Sequence, residues 1–445
     1  LTILIFGSNI HNLFPERRGT PVSISLDDEA PTGVTIIGAG IIGVCCAIAL
    51  REAGLAVTLV DRGEPGNEAS KGNAGCLAAS EITPMTAPGL WRKVPRWLLD
   101  PLGPLALRPA HVKAALPWFL RFLANGREDV VARLTGGLAS LSAVSWDLWP
   151  GLAERAGIAD QITVKGGLTV YRTDAAFLAD AGDRALKARH GVPHEVLGAA
   201  ELAALEPDLA PGFRHAVRYP RWAHVTDPHR IVLKLLDHAL DLGVNLEQGA
   251  EALSIGREGK VRVVTLSDGR ILRSAHVVIA AGVWSKALCE SLGSPVLMES
   301  ERGYNTTLPN PGVTVNHPIT LGEDKFVLSP LAVGLRIGGA AEFAGITAPA
   351  NYKRSTALLT LARRALPGLR EEGGTQWMGQ RPSTPDGLPV IGRLPADPKG
   401  VVLAFGHGHL GLTNATGTAA LVTALITGAE PPVNPAPFIV ERFAR

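Results

Sequence analysis

A chain of 445 residues, 46% apolar and 19% charged, carries more apolar material than one ordinary core needs and is far from a disordered composition. Its 43 basic residues against 41 acidic ones give a net charge of +2 with no long basic run, which excludes a nucleic-acid binder; no stretch reaches the roughly 18 uninterrupted apolar residues of a membrane span. Cys45, Cys46, Cys76 and Cys289 lack C-x-x-C or metal-ligand spacing, so a metal site is not expected and a reducing, cytoplasmic compartment fits.

Residues 1–32 hold a short apolar run without a basic lead-in and then turn polar, a poor signal peptide that reads as an arm outside the fold. From Val34 to Gly63 the pattern is buried strand, glycine turn, helix and second strand. Gly38, Gly40 and Gly43 form G-x-G-x-x-G at the strand-to-helix junction, and Asp61 stands 18 residues beyond Gly43 at the end of the next strand. There Gly38 permits a tight turn, Gly40 clears space for a pyrophosphate, Gly43 lets helix and strand approach, and the helix N–H groups face the phosphates. Asp61 suits a ribose. NAD and FAD both satisfy this pattern, but the small-residue loop "EASKGNAGCLA" (68–78), with Ser70 and Asn73, suits a longer cofactor ending in a flat ring.

Residues 86–160 spread Trp91, Trp97, Trp118, Trp146 and Trp149 among helical spacings and Pro/Gly breaks, as a substrate domain or lid would. "WRKVPRWLL" (91–99) interleaves basic and aromatic residues, as would a peripheral contact with the inner membrane. "GGLTVYRT" predicts a strand, and "TDPHRIVLKLLDHALDLG" predicts a helix capped by Thr226 or Asp227, with Pro228 in its first turn and Gly243 as its stop. A β-meander then feeds an apolar strand ending at Ala280. "ERGYNTTL", "KFVLSPLAVGLRIGGAAEF" and the helical "STALLTLARRAL" form a second mixed block. The chain closes with the proline-rich "RPSTPDGLPVIG", a strand, the glycine turn "GHGHLGLTNATG" and a helix expected from Thr413 or Asn414, whose positive end would stabilise charge on a reduced flavin.

"IIGAGIIG", "SKGNAG", "VVIAAGVWS", "GQRPSTPDGLPVIG" and "GHGHLGLT" occur in the order and spacing of the FAD-dependent D-amino acid oxidase superfamily, and from about residue 33 onward the chain most resembles its D-amino acid dehydrogenase branch. The resemblance implies an α/β fold: a Rossmann-like FAD-binding domain (33–85, 223–295 and 378–440) interleaved with an α+β substrate domain containing a mixed sheet (86–222 and 296–377). It implies that Gly38, Ala39, Gly40, Ile41, Ile42 and Gly43 hold the ADP half of FAD, and Asp61 with Arg62 the adenosine ribose. Ala69, Ser70, Gly72, Asn73, Ala74, Gly75, Cys76 and Leu77 would run along the flavin. Glu251 would meet adenine through its backbone, Ala281, Gly282 and Trp284 would supply a second dinucleotide contact, and Gly406, Gly408, His409, Leu410, Gly411, Leu412 and Thr413 would close the flavin end.

By the same resemblance Arg381 grips the carboxylate of a small amino acid substrate, a task that suits a guanidinium fork on a frozen backbone. The chain carries His409 where glycine oxidases of that superfamily place a second arginine, and Tyr304 is a further candidate for the pocket. Arg302 and Arg336 read as structural. The activity implied is oxidative deamination of a D-amino acid or small secondary amino acid, with oxygen or a quinone as electron acceptor. A nicotinamide-dependent dehydrogenase and a non-catalytic flavin-binding electron-transfer subunit are the rival readings.

Overall fold

The computed structural model describes residues 33–87, 89, 94–100 and 102–444, which lie in one compact unit that begins at Pro31. The arm expected over 1–32, and Trp91, Arg92 and Lys93 of the basic–aromatic segment, lie outside the described residues.

Two large sheets organise the chain. In the first, the parallel strands run in the order Asn245–Gln248, Val57–Asp61, Val34–Ile37, His276–Ile279 and Val401–Phe405, and Val390–Arg393 closes the edge antiparallel. Both faces are covered, which is why the inner strands read as unbroken apolar runs rather than alternating ones. Ile36, Leu59, Val278 and Val402 pack against the helices Ile41–Glu52, Pro228–Asp241 and Gly411–Thr427. On the other face Ile37, Val60, Ile279 and Leu403 meet the meander Ala252–Glu258, Val261–Leu266 and Ile271–Ser274.

Local signals set the boundaries. Asp227 caps the helix Pro228–Asp241, its carboxylate accepting from the backbone N–H of His229 at 2.8 Å and of Arg230 at 3.3 Å, and Gly243 ends the run at φ 91°. Such a cap contributes about 1 kcal/mol. The final helix begins at Gly411, two residues before the start expected at Thr413.

The second sheet is mixed, in the order Thr375–Ser383, Glu299–Leu308, Gly334–Phe343, Phe326–Leu331, Ile319–Leu321, Gly167–Tyr171, His215–Tyr219 and Glu195–Gly198, with Leu105–Leu107 paired to Gly334–Phe343. Glu299–Leu308 is buried along its whole length although Glu299, Ser300, Glu301, Arg302, Asn305, Thr306 and Thr307 are polar or charged, and strands flank both its edges. Successive side chains of a strand point to opposite faces. Arg302 and Tyr304 therefore look toward the side covered by the helix Lys353–Ala365, and Glu301, Gly303 and Asn305 look the other way. A bulge opposite Gly303 puts Ala340 at φ 55°, a left-handed conformation rare for a side-chain-bearing residue, and re-aims its carbonyl.

The tryptophans behave as struts. Trp118 donates its indole N–H to the Ser383 carbonyl at 2.9 Å, and Trp149 donates to the Thr413 carbonyl at 3.1 Å, so each ties a helix to the segments that frame the site. The four cysteines are unpaired, and burial pushes the Cys46 and Cys76 thiols up to about 12, which keeps them protonated and unreactive.

Candidate active site

A cavity of about 360 Å³ runs along the carboxyl ends of the parallel strands, where open α/β sheets bind their ligands. The glycine turn forms its floor. Gly38 takes φ 107°, and a Cβ there would stand 2.5 Å from the Ala280 carbonyl oxygen; a Cβ on Gly43 would overlap the Gly38 carbonyl. Gly40 precedes the helix Ile41–Glu52 without a side-chain cap, and no acidic residue occupies its first turn, so this helix start offers N–H groups to an anion. The Ile41 N–H goes to the Ser70 hydroxyl at 3.1 Å, which fixes the loop beside the turn.

Asp61 accepts from the Ala39 N–H at 2.7 Å and from Gly63 at 2.9 Å; burial raises its pKa, and these two N–H groups oppose that shift. Arg62 stacks over the Trp284 ring at 3.7 Å and pairs with Glu68 at 2.8 Å, closing that end of the cavity.

Most of the residues expected at the cofactor reach the cavity wall: Gly38, Gly40, Ile41, Ile42, Asp61, Arg62, Ala69, Ser70, Asn73, Glu251, Ala281, Gly282, Trp284, Gly408, Gly411 and Leu412. Ala39, Gly43, Gly72, Ala74, Gly75, Cys76, Leu77, Gly406, His409, Leu410 and Thr413 are not part of its lining. The backbone of Glu251 is largely committed, its N–H donating to the Ser267 hydroxyl at 3.0 Å and its carbonyl accepting from the Ser267 N–H at 2.8 Å. Thr413 supports the wall from behind, its hydroxyl accepting from the Ala78 N–H at 3.0 Å.

Beside this cavity the mixed sheet presents the odd-numbered face of Glu299–Leu308. Arg381, directly opposite Glu301, donates from Nη1 to the Glu301 carboxylate at 2.7 Å and to the Ala340 carbonyl at 3.1 Å. The second Glu301 oxygen accepts from the Ser383 hydroxyl at 2.8 Å. Gly303 makes room for the guanidinium, which lies where a Cβ would stand. The Trp377 ring occupies the space that side chains at Gly72 and Gly379 would take, and the Asn305 amide donates to the Gly72 carbonyl at 2.9 Å. Arg336 donates to the carbonyls of Lys71 at 3.3 Å and Asn73 at 2.5 Å, the structural role expected of it. One sheet face thus holds both Arg381 and the 70–75 loop.

His409 is surface-accessible within a small cleft shared with Thr83, Pro84, Ser383 and Thr384. Desolvation by the walls of the cleft lowers its pKa; Glu301 acts against that shift and Arg381 adds to it, so the three groups share one electrostatic site. His407 is a packed residue, bonded to the Thr418 hydroxyl at 2.9 Å, and burial pushes its pKa down to about 3.

Tyr304 does not join this group. It is 1% exposed on the opposite face, its hydroxyl donates to Glu342 at 2.5 Å and accepts from the Asn351 N–H at 2.9 Å, and that corrects its reading as a pocket residue. Arg302 lies on the same far side, donating to the carbonyls of Gly345 and Pro349. Sequence reasoning overlooked Glu301, Gly303, Asn305, Trp377 and Ser383. Counting every second residue through "ERGYN" would have put Glu301, Gly303 and Asn305 together.

The family described as "FAD dependent oxidoreductase" matches residues 33–425, and the chain belongs to it. It is 38% identical over 418 residues to the D-amino-acid oxidase of Bradyrhizobium diazoefficiens, covering 92% of this chain and 98% of that one. It is 34% identical to D-amino acid dehydrogenase 2 of Ralstonia nicotianae, covering 92% and 100%. Among solved structures, glycine oxidase from Geobacillus kaustophilus superposes with a TM-score of 0.71 at 23% identity, covering 92% and 98%. Iminodiacetate oxidase from a Chelativorans species gives 0.69 at 20%, covering 92% and 98%. The protein is an FAD-dependent oxidoreductase, and neither rival reading is favoured. The cavity fits this cofactor: its lining includes an uncapped helix start suited to phosphates and the Asp61 carboxylate, suited to a ribose.

Proposed function

We propose that the chain oxidises a small D-amino acid or secondary amino acid, anchoring the substrate carboxylate on Arg381. The observation that carries this reading is the placement of Arg381 on the sheet face that also holds the 70–75 loop, with its backbone fixed by strand pairing and by the bond from the Gly408 N–H to the Pro382 carbonyl at 2.9 Å. FAD, when bound, supplies the acceptor for the hydride leaving the substrate Cα. The protein's part is to orient, desolvate and let a proton depart. Arg381 fixes the carboxylate end, Trp377 walls the space toward Gly72, and a neutral His409 lies within electrostatic reach of the amine. The imine product hydrolyses to a 2-oxo acid.

In this reading 33–85, 223–295 and 378–440 hold the cofactor and 86–222 with 296–377 cover the substrate. Anaerobic addition of D- and L-amino acids and of secondary amino acids to the yellow protein tests it. Loss of the visible flavin band with D-alanine or a secondary amino acid, and not with L-alanine, is expected; a panel that leaves the band unchanged refutes the reading. Electrons pass on to oxygen or a quinone, separable by oxygen consumption against reduction of a quinone analogue.

A peripheral membrane contact belongs to the same proposal. No helix among the described residues is long and apolar enough to cross a membrane. The helix Val112–Ala124 nevertheless leaves Val112, Leu116, Leu120 and Leu123 exposed along one face, and Leu98 and Leu99 are exposed as well. Replacing Leu116 and Leu120 by serine should release the protein from anionic vesicles; equal vesicle binding excludes the contact.

A further inference from the structure

The surroundings of Arg381 bear on the net charge of the substrate. Glu301 is held on both sides, its side chain only 4% exposed, with one oxygen on Arg381 and the other on the Ser383 hydroxyl. The Glu301 carboxylate is therefore a fixed part of the anchor. Arg381 in turn is 27% exposed at its side chain, still open to a ligand.

Arg381 and Glu301 cancel. Desolvation in the cleft lowers the pKa of His409. The next charges felt there, Glu81 and Lys187, pair with each other at 3.2 Å, and Lys187 also meets Asp183 at 3.1 Å. Arg336 is turned to the carbonyls of the 70–75 loop, and Arg302 lies on the far face of the sheet with Glu342 at 3.7 Å. The pocket around the guanidinium carries no surplus positive charge. A ligand bearing only a carboxylate would bring a second negative charge beside the buried Glu301, whereas a zwitterion brings its own ammonium.

We propose that Glu301 is a positioning and specificity residue that, acting through Arg381, makes the site select zwitterionic amino acids of zero net charge and reject simple carboxylates and dianionic amino acids. This rests on Arg381 being the carboxylate anchor. Glu301 touches no reacting atom. It holds the guanidinium over Gly303 and adds the repulsion that a lone carboxylate must overcome; charge arrangements of this kind discriminate against wrong partners more than they add affinity.

The test uses the FAD-loaded full chain and two molecules of one skeleton, 2-aminoisobutyrate and isobutyrate. The first is a zwitterion with no hydrogen on Cα, so it binds without being oxidised; the second lacks the amine. Dissociation constants come from perturbation of the visible flavin spectrum and from calorimetry. Wild type should bind 2-aminoisobutyrate at least about tenfold more tightly than isobutyrate, and Glu301→Gln, which keeps the shape and removes the charge, should shrink that ratio by about tenfold or more. Glu301→Asp keeps the charge and should leave the ratio within about threefold of wild type. A ratio unchanged by Glu301→Gln overturns the proposal, as does a wild type that prefers isobutyrate, a result that needs no variant to fold. Arg381→Lys separates the two layers: if it leaves binding of both molecules intact, the anchor itself is wrong, whereas loss of binding there with an unchanged ratio in Glu301→Gln refutes only the role of Glu301.

Discussion

Glu301 and Arg381 face each other across neighbouring antiparallel strands and meet at 2.7 Å, with Gly303 beneath the guanidinium. Because opposite residues of such strands share a face, the register alone decides what this side of the sheet presents. The same rule that puts Arg381 on the face shared with Asn305 and Gly303 sends Tyr304 to the far side.

Tyr304→Phe should therefore cost stability and not catalysis. Removing the hydroxyl leaves the buried Glu342 carboxylate and the Asn351 N–H each short of a partner, a loss of about 1–3 kcal/mol. Thermal unfolding should move down, and the KM for the amino acid should stay within about twofold. A large rise in KM with unchanged unfolding would return Tyr304 to the pocket.

Gly43→Ala should abolish cofactor retention. The added methyl group would overlap the Gly38 carbonyl, so helix and strand must separate at the turn proposed to hold the phosphates. Overpacking of this kind costs about 1–3 kcal/mol in a core, and here it also displaces the N–H groups of the helix start. Visible absorbance per protein after gel filtration measures it; a fully yellow variant would contradict the assignment.

His407 makes the fold acid-sensitive. Burial lowers its pKa from 6.5 to about 3, so the unfolded chain takes up a proton as pH falls through 6.5 while the folded chain stays neutral. Its contribution is complete above pH 6.5 and is lost progressively between there and about pH 3. The slope approaches about 1.4 kcal/mol per pH unit, or about 2 kcal/mol by pH 5. Denaturant midpoints at pH 8 and pH 5 should differ less in His407→Asn than in wild type; equal losses would mean that the ring is protonated in the fold.

How much was legible in the sequence follows from what each feature depends on. Gly38, Gly40, Gly43 and Asp61 were readable because one short βαβ segment fixes their geometry, and Asp227 and Pro228 announced their helix for the same local reason. Arg381 came from resemblance, and its contacts did not. Glu301, 80 positions away, reaches it only through strand pairing, and the bulge that turns the Ala340 carbonyl toward it is set by three strands together. Tyr304 was misplaced because its presence in "ERGYN" does not say which face it takes, and the strand divides these residues between two faces. Trp118 and Trp149, expected in a substrate domain or lid, bond backbone carbonyls 265 and 264 positions distant, contacts that no local pattern reveals.

The most direct test of the account is the half-saturating concentration of D-alanine for anaerobic loss of the flavin band in wild type and in Arg381→Lys, each carrying its full complement of FAD. Lysine keeps the charge and loses the planar fork, so the variant should need about a hundredfold more substrate with its oxidised spectrum unchanged. Equal half-saturating concentrations would show that Arg381 does not hold the carboxylate.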